Sequence, residues 1–131
     1  MGDQVDNNQL KILTVNCQGL GDKNKRRDVL NYLKGKKYNV YFLQDTHFME
    51  KDENMIRTQW GYKAFFSSFK SNSRGVAILF NNNCEVKIYN EFKDNEGNYL
   101  ILDVIIEDIP FLLINIYGPN CDRPNFFFKF T

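Results

Sequence analysis

Short apolar runs, each ended by a polar or glycine-containing cluster, set the rhythm of this chain. Residues 10–15 and 38–43 are apolar runs of strand length. Between them, residues 23–34 place Val29, Leu30 and Leu33 on one helical face. Asp22 follows the turn residues Gly19-Leu20-Gly21 and fits a helix N-cap, and Gly35 is the expected helix stop. Strand, helix and strand in that order predict a parallel βαβ unit opening with a buried strand. Residues 50–59, carrying Met55 and Ile56, read as a weaker helix that ends near Gly61. Residues 63–69 read as an edge strand.

The pattern then changes. Residues 75–80, 84–89, 99–107 and 111–117 are four strand-like runs. Asn81-Asn82-Asn83, residues 94–98 and residues 108–110 supply turn chemistry between them. Consecutive short turns predict an antiparallel meander. A βαβ start followed by a meander predicts mixed sheets in an α/β or α+β layered fold. The polar residues 1–9 read as a disordered lead-in, and residues 10–131 as one domain or part of one. Near the end, Asn125-Phe126-Phe127-Phe128-Lys129-Phe130-Thr131 puts four phenylalanines in seven residues. Left bare they would form an apolar patch, so the expectation is that the chain stops before a covering layer is complete.

Composition narrows the class. Hydrophobic residues make up 43% and aromatic residues 15% of the 131 positions, enough for a packed core. Seventeen Lys and Arg balance sixteen Asp and Glu, so bulk charge does not mark a basic nucleic-acid module. A local basic rim remains compatible with one. Cys17, Cys84 and Cys121 are widely spaced and show no zinc spacing, and they read as reduced thiols in an intracellular compartment. No signal-peptide core is visible, and no apolar stretch approaches the ~20 residues of a membrane span.

The candidate chemistry sits where apolar runs stop. The first run ends at Asn16, the second leads into Gln44-Asp45-Thr46-His47, and the last ends at Tyr117-Gly118-Pro119-Asn120. Three core strands delivering polar groups at their ends describe one site on a rigid scaffold. Asp45 is the metal-ligand candidate, because Mg²⁺ accepts one or two carboxylates and fills its shell with water and phosphate. Taken alone, Asp45 fits a surface or capping role equally well. Asn16 could hold a phosphate oxygen or orient a carboxylate, or simply form the turn before Gly19. Tyr117 could donate to a phosphate and Asn120 could orient a neighbour, although Gly-Pro-Asn is also ordinary turn chemistry. His47 is the single histidine and has no Ser or Cys nucleophile at a triad spacing, which favours a structural use. Lys70 and Arg74 flank a polar loop that could meet a phosphate backbone or remain solvated. Lys34, Lys36 and Lys37 suit a solvated helix C-terminus.

Taken together, the order of motifs is specific. Ile12-Leu13-Thr14-Val15-Asn16-Cys17-Gln18-Gly19-Leu20, Leu43-Gln44-Asp45-Thr46-His47, Ser73-Arg74-Gly75-Val76-Ala77-Ile78-Leu79 and Ile114-Asn115-Ile116-Tyr117-Gly118-Pro119-Asn120 resemble the N-terminal half of the endonuclease/exonuclease/phosphatase superfamily. Within it the chain resembles the apurinic-endonuclease-like domain of LINE-type (non-LTR) retrotransposons, over residues 10–128. The resemblance implies half of a four-layer, DNase I-like α/β sandwich with mixed sheets. It implies a nuclear, Mg²⁺-dependent DNA endonuclease, with Mn²⁺ as the alternative metal. By the same resemblance, Asp45 binds the metal, Asn16 shapes the metal and phosphate site, Tyr117 contacts the scissile phosphate and Asn120 supports the site. Two departures stand out. The family has Glu where this chain has the shorter Asp45. The Gly-Asp-Phe-Asn-type and Ser-Asp-His-type motifs, which supply the water-activating Asp and a His–Asp pair, are absent; Asp122 matches neither. An incomplete, weakly active nuclease is therefore the expectation, with DNA as partner. A non-catalytic retroelement remnant or weak nucleic-acid-binding module competes with it. A phosphoinositide or sphingomyelin phosphodiesterase is the third reading.

Overall fold

The computed structural model describes residues 9–118. The βαβ start forms as the pattern requires. Strand β1 (Ile12–Asn16) leads into helix α1 (Lys23–Gly35), which returns to β2 (Val40–Gln44), and β1 and β2 pair in parallel. Asp22 caps α1 by accepting from the Lys25 amide at 2.8 Å. Gly35 does not provide the left-handed stop. It stays helical, Lys36 is the cap, and the left-handed position falls on Lys37 at φ 63°. A 3₁₀ turn (Glu50–Asp52) runs into α2 (Glu53–Trp60), which closes on left-handed Gly61. The expected helix at 50–59 is thus two pieces.

Strands β3 (Ala64–Ser67) and β4 (Val76–Phe80) complete a mixed four-stranded sheet in the order β1-β2-β4-β3. Strands β5 (Val86–Lys93), β6 (Tyr99–Ile106) and β7 (Ile109–Ile116) form a separate antiparallel sheet. This corrects the four-strand meander, because its first run, β4, pairs with β2 and β3 instead. The reason lies in the side chains: all five residues of β4 are buried, so the strand needs cover on both faces. Only a strand inside the first sheet, between helices and second sheet, obtains that. The last turn also shifts, to Glu107–Asp108, both at positive φ, so Pro110 lies inside β7. Proline is tolerated there because β7 is an edge strand.

Two cores result. Leu20, Leu30, Leu33, Ile56 and Trp60 cover one face of the first sheet against Tyr41, Leu43, Leu79 and Phe66. Val40, Val76, Ile78 and Phe80 meet Leu100, Leu102, Val104, Ile106 and Leu113 between the sheets. Trp60 anchors the first core by donating its Nε1–H to the Phe80 carbonyl at 2.9 Å. The described residues therefore make three layers: helices, mixed sheet and antiparallel sheet. Strand β1 departs from the expected buried strand, since Ile12 is 42% exposed at the sheet's edge. The opposite edge, β3, is guarded: Arg57 Nε donates to the Ala64 carbonyl and Lys93 Nζ to the Phe66 carbonyl.

Candidate functional site

At one end of the sandwich, the segments that leave the strands are sewn together by backbone hydrogen bonds. The amides of Cys17, Gly19 and Leu20 donate to the carbonyls of Gln44, Asp45 and Thr46, each at 2.8 Å. The amides of Thr46 and His47 donate to Gly75 and Arg74 at 3.0 and 2.8 Å. The belt then crosses to the second sheet, where Gly75 N donates to Gly97 O at 3.1 Å, and continues within that sheet from Tyr117 N to Asn98 O at 2.8 Å. Asn16, Asp45, Arg74 and Tyr117 thus ride on, or directly beside, one belt. Backbone hydrogen bonds therefore link the segments that follow β1 and β2 to those around β4 and the second sheet. Asn120 lies outside the described residues.

The belt holds an expensive backbone. Gln18, Asp45, His47 and Arg74 all have positive φ, between 51° and 61°. Each costs on the order of 1 kcal/mol for a residue with a side chain. The flip turns the carboxylate of Asp45 towards His47. Because an ionised carboxylate only accepts, His47 Nε2 donates to Asp45 Oδ1, at 2.8 Å. The other edge of the imidazole packs against Gly19, where an added Cβ would stand 2.7 Å from Nδ1. Glycine is required there by both contact and φ of 90°. His47 thus sits between Gly19 and the metal-ligand candidate.

The remaining candidates divide. Asn16 Oδ1 accepts from the Gln18 amide at 3.2 Å, which is the turn-forming role. Tyr117 is half-buried against the inter-sheet core. Lys70 and Arg74 form a cationic pair around one ring, with Lys70 Nζ 4.8 Å and Arg74 Cζ 4.5 Å from the Phe69 centroid. Arg74 is partly neutralised by Glu96 at 3.6 Å. Cys17, next to Asn16, is no nucleophile: burial pushes its thiol up to about 12, with Lys25 pulling down and Asp45 adding a smaller push upwards.

One residue behind the site escaped the sequence reading. Asn115 is 1% exposed, and its Nδ2 donates to the Leu43 and Ala77 carbonyls at 3.0 and 2.8 Å. Its Oδ1 accepts from Gln44 Nε2 at 2.8 Å, and Gln44 Oε1 accepts from the Thr14 hydroxyl at 3.1 Å. This side chain bridges β7 to β2 and β4 directly behind Asp45. The signal was present, since Phe111, Leu113 and Asn115 alternate onto the buried face, where an amide must be bonded.

The donor chemistry suits a hard cation in a limited way. Asp45 offers the oxygen not bonded to His47, and its side chain is 24% exposed. A single carboxylate is compatible with a water-rich Mg²⁺ shell. Among the described residues, no group of three His, Cys, Asp or Glu side chains could hold a metal ion. No helix of the described residues is long and apolar enough to cross a membrane.

No family model matches the sequence. A Xenopus laevis protein described as a transposon TX1 uncharacterized 149 kDa protein is 29% identical over 120 residues, which is 90% of this chain and 9% of that protein. The fold matches an AP endonuclease from Leishmania major with a TM-score of 0.64 at 18% identity, over 92% of this chain and 45% of that one. It also matches an AP endonuclease from Archaeoglobus fulgidus, with a TM-score of 0.58 at 23% identity, over 85% and 42%. The catalytic domain of human Nocturnin gives 0.52 at 12%, over 80% and 47%. The chain spans less than half of each of these solved chains.

Proposed function

From an AP-endonuclease-like fold and a transposon-encoded sequence relative, we propose that this chain forms the front part of a Mg²⁺-dependent nuclease of the retrotransposon type, acting on DNA phosphodiesters. The observation that carries the reading is the belt, which fixes Asn16, Asp45 and Tyr117 at one end of the fold matched to two AP endonucleases. The AP endonucleases support DNA as the substrate class.

In this reading Asp45 holds the metal through its free carboxylate oxygen. When bound, Mg²⁺ offsets charge on the phosphate and the leaving oxygen. Tyr117 donates to a phosphate oxygen, and Asn16 and Asn120 orient groups around it. Lys70 and Arg74 contact the backbone away from the cut. His47 keeps the Asp45 side chain in one rotamer. Among the described residues, the one imidazole beside the site is engaged by Asp45, so in this reading the chain binds DNA and cleaves it slowly. Loss of groups that act as a unit lowers rates by many orders of magnitude.

The test is nicking of supercoiled plasmid with Mg²⁺, with EDTA, and in Asp45→Ala. A trace of Mg²⁺-dependent nicking that vanishes in both controls supports the reading. Efficient nicking by the unaltered chain would refute the slow-cleavage part, and nicking that survives Asp45→Ala would refute the role of Asp45. The second reading, a binding module without catalysis, draws on the Asp45–His47 pair and predicts DNA binding that is indifferent to Mg²⁺.

A further inference from the structure

Between edge strand β3 of the first sheet and edge strand β5 of the second lies a trough of about 350 Å³, within the range of ligand pockets. Ala64, Phe65, Phe66 and Ile88 give it an apolar floor. Arg57, Lys63 and Lys93 stand around that floor with one carboxylate, Glu91. Each cation is tethered to a backbone carbonyl. Lys63 Nζ donates to Val86 at 2.8 Å, Lys93 Nζ to Phe66 at 3.1 Å and Arg57 Nε to Ala64 at 3.2 Å. A lysine has three N–H donors and an arginine five, so every tethered head keeps donors to spare. This holds for Arg57 even though its Nη1 also reaches Asn54 at 2.7 Å. Glu91 approaches Lys93 at 3.7 Å, and among the described residues no carboxylate pairs with Arg57 or Lys63. The trough lies apart from Asn16, Asp45, Arg74 and Tyr117, none of which lines it.

We propose that this trough docks a short extended segment of a partner protein in which acidic and apolar residues alternate. Charge, spacing and shape select that occupant. Three cations against one carboxylate call for an anionic partner, and complementary charge fixes its register. The carbonyls that hold Arg57 and Lys93 belong to Ala64 and Phe66, two residues and about 7 Å apart on β3. Acidic side chains at alternate positions of an extended peptide repeat at the same ~7 Å, and the side chains between them turn the other way, to the floor. The tethered cations also cap the outward carbonyls of β3, so the peptide lies in the trough and adds no strand to the edge. Nucleic acid fits less well on two counts. Bases bind by stacking on open aromatic faces, and both rings here are occupied. Phe65 meets Phe80 edge-on at 6.0 Å, and the Arg57 guanidinium lies 5.2 Å from the ring centroid of buried Phe66. The cationic stretch is also short. Beyond Lys93, Glu50, Glu53 and Asp94 line the next cleft and would repel a continuing phosphate backbone. Docking here is independent of cleavage at the belt.

The experiment uses the full chain with labelled Ala and Ile methyl groups and a fluorescent octapeptide of alternating Glu and Leu. The Ala64 and Ile88 methyl resonances should move on titration. Roughly tenfold weaker binding is expected for two control peptides, Glu alternating with Ser and Lys alternating with Leu. Affinity should fall roughly tenfold in the double variant Lys63→Gln, Lys93→Gln, which keeps a donor near each carbonyl and removes the charge. Circular dichroism and the emission of buried Trp60 report whether that variant is folded. Equal affinity of the parent and the folded variant would overturn the proposal, as would a Glu/Leu titration that leaves Ala64 and Ile88 unmoved. Tighter binding of an eight-nucleotide oligothymidylate that moves the same two methyls would assign the trough to nucleic acid and overturn it too. Should the variant not fold, the methyl shifts and the control peptides decide on the unaltered chain.

Discussion

Replacing Asn115 by Leu removes three hydrogen bonds and almost no volume. The carbonyls of Leu43 and Ala77 lose a donor, and Gln44 Nε2 loses its acceptor. Leaving a buried polar group unbonded costs about 1–3 kcal/mol. Gln44 Nε2 retains a long contact to the Phe42 carbonyl at 3.4 Å, which places its share near the low end. Added apolar contact returns about 1 kcal/mol. The net expectation is a loss of about 2–4 kcal/mol, a large part of the roughly 5–15 kcal/mol that holds a domain together. Urea unfolding followed by fluorescence of Trp60, the single tryptophan and fully buried, measures it. A midpoint change worth less than about 1 kcal/mol at constant slope would refute the assignment of Asn115 as the bridge between sheets. Asn115→Asp adds a test of sign. Its carboxyl would face two carbonyls, so the folded state favours the protonated form and raises the folded pKa above the usual ~3.9. The folded state then binds more protons. The variant should come nearest the parent below about pH 4 and lose ground as pH rises through the raised value. A deficit that grows on acidification would contradict the geometry.

Three further outcomes follow from the same structure. Gly97→Ala places a Cβ at φ 69° and 2.6 Å from the Gly75 amide nitrogen, so about 2–4 kcal/mol of stability should be lost in the same urea assay. In a Cys121→Ser background, Cys17 should resist alkylation at pH 8: with its thiol near 12, only about one molecule in ten thousand is thiolate. Cys84, pushed to about 11 chiefly by burial and then by Glu107, should react slowly too, and labelling of either within minutes in the folded chain would contradict this. Changing both Lys70 and Arg74 to Ala should reduce the salt dependence of DNA binding by a slope of about 1–2, read from affinity against log salt. An unchanged slope would show that the Phe69 cation pair does not touch phosphate.

Much of this architecture was legible because it is local. Asp22 caps a helix three residues away, and the apolar runs at β1 and β2 have strand length and end in polar groups. The ends of β1, β2 and β7 each carry polar groups after an apolar run, and one backbone network links their segments. What was hidden depends on partners distant in sequence. The place of β4 between β2 and β3 could not be read from turns alone, since an Asn-rich turn is equally at home in a hairpin or a sheet change. The exposure of β1 follows from its place in the sheet order, which an apolar run does not reveal. The Asp45–His47 pair needed two left-handed residues in succession around Thr46, a backbone state that neither residue type announces. Asn115 hid inside a run that looked uniformly apolar, although its parity with Leu113 pointed inward.

The belt also has a kinetic consequence. Loops ordinarily exchange their amide hydrogens with solvent by small local openings. Here the amides of Cys17, Gly19, Leu20, Thr46, His47, Gly75 and Tyr117 are each held by a neighbouring segment. Freeing one means parting segments that run from β1 to β7. These seven should exchange at the pace of the strands, and the end of the molecule that looks most loop-like should be among the last to take up deuterium.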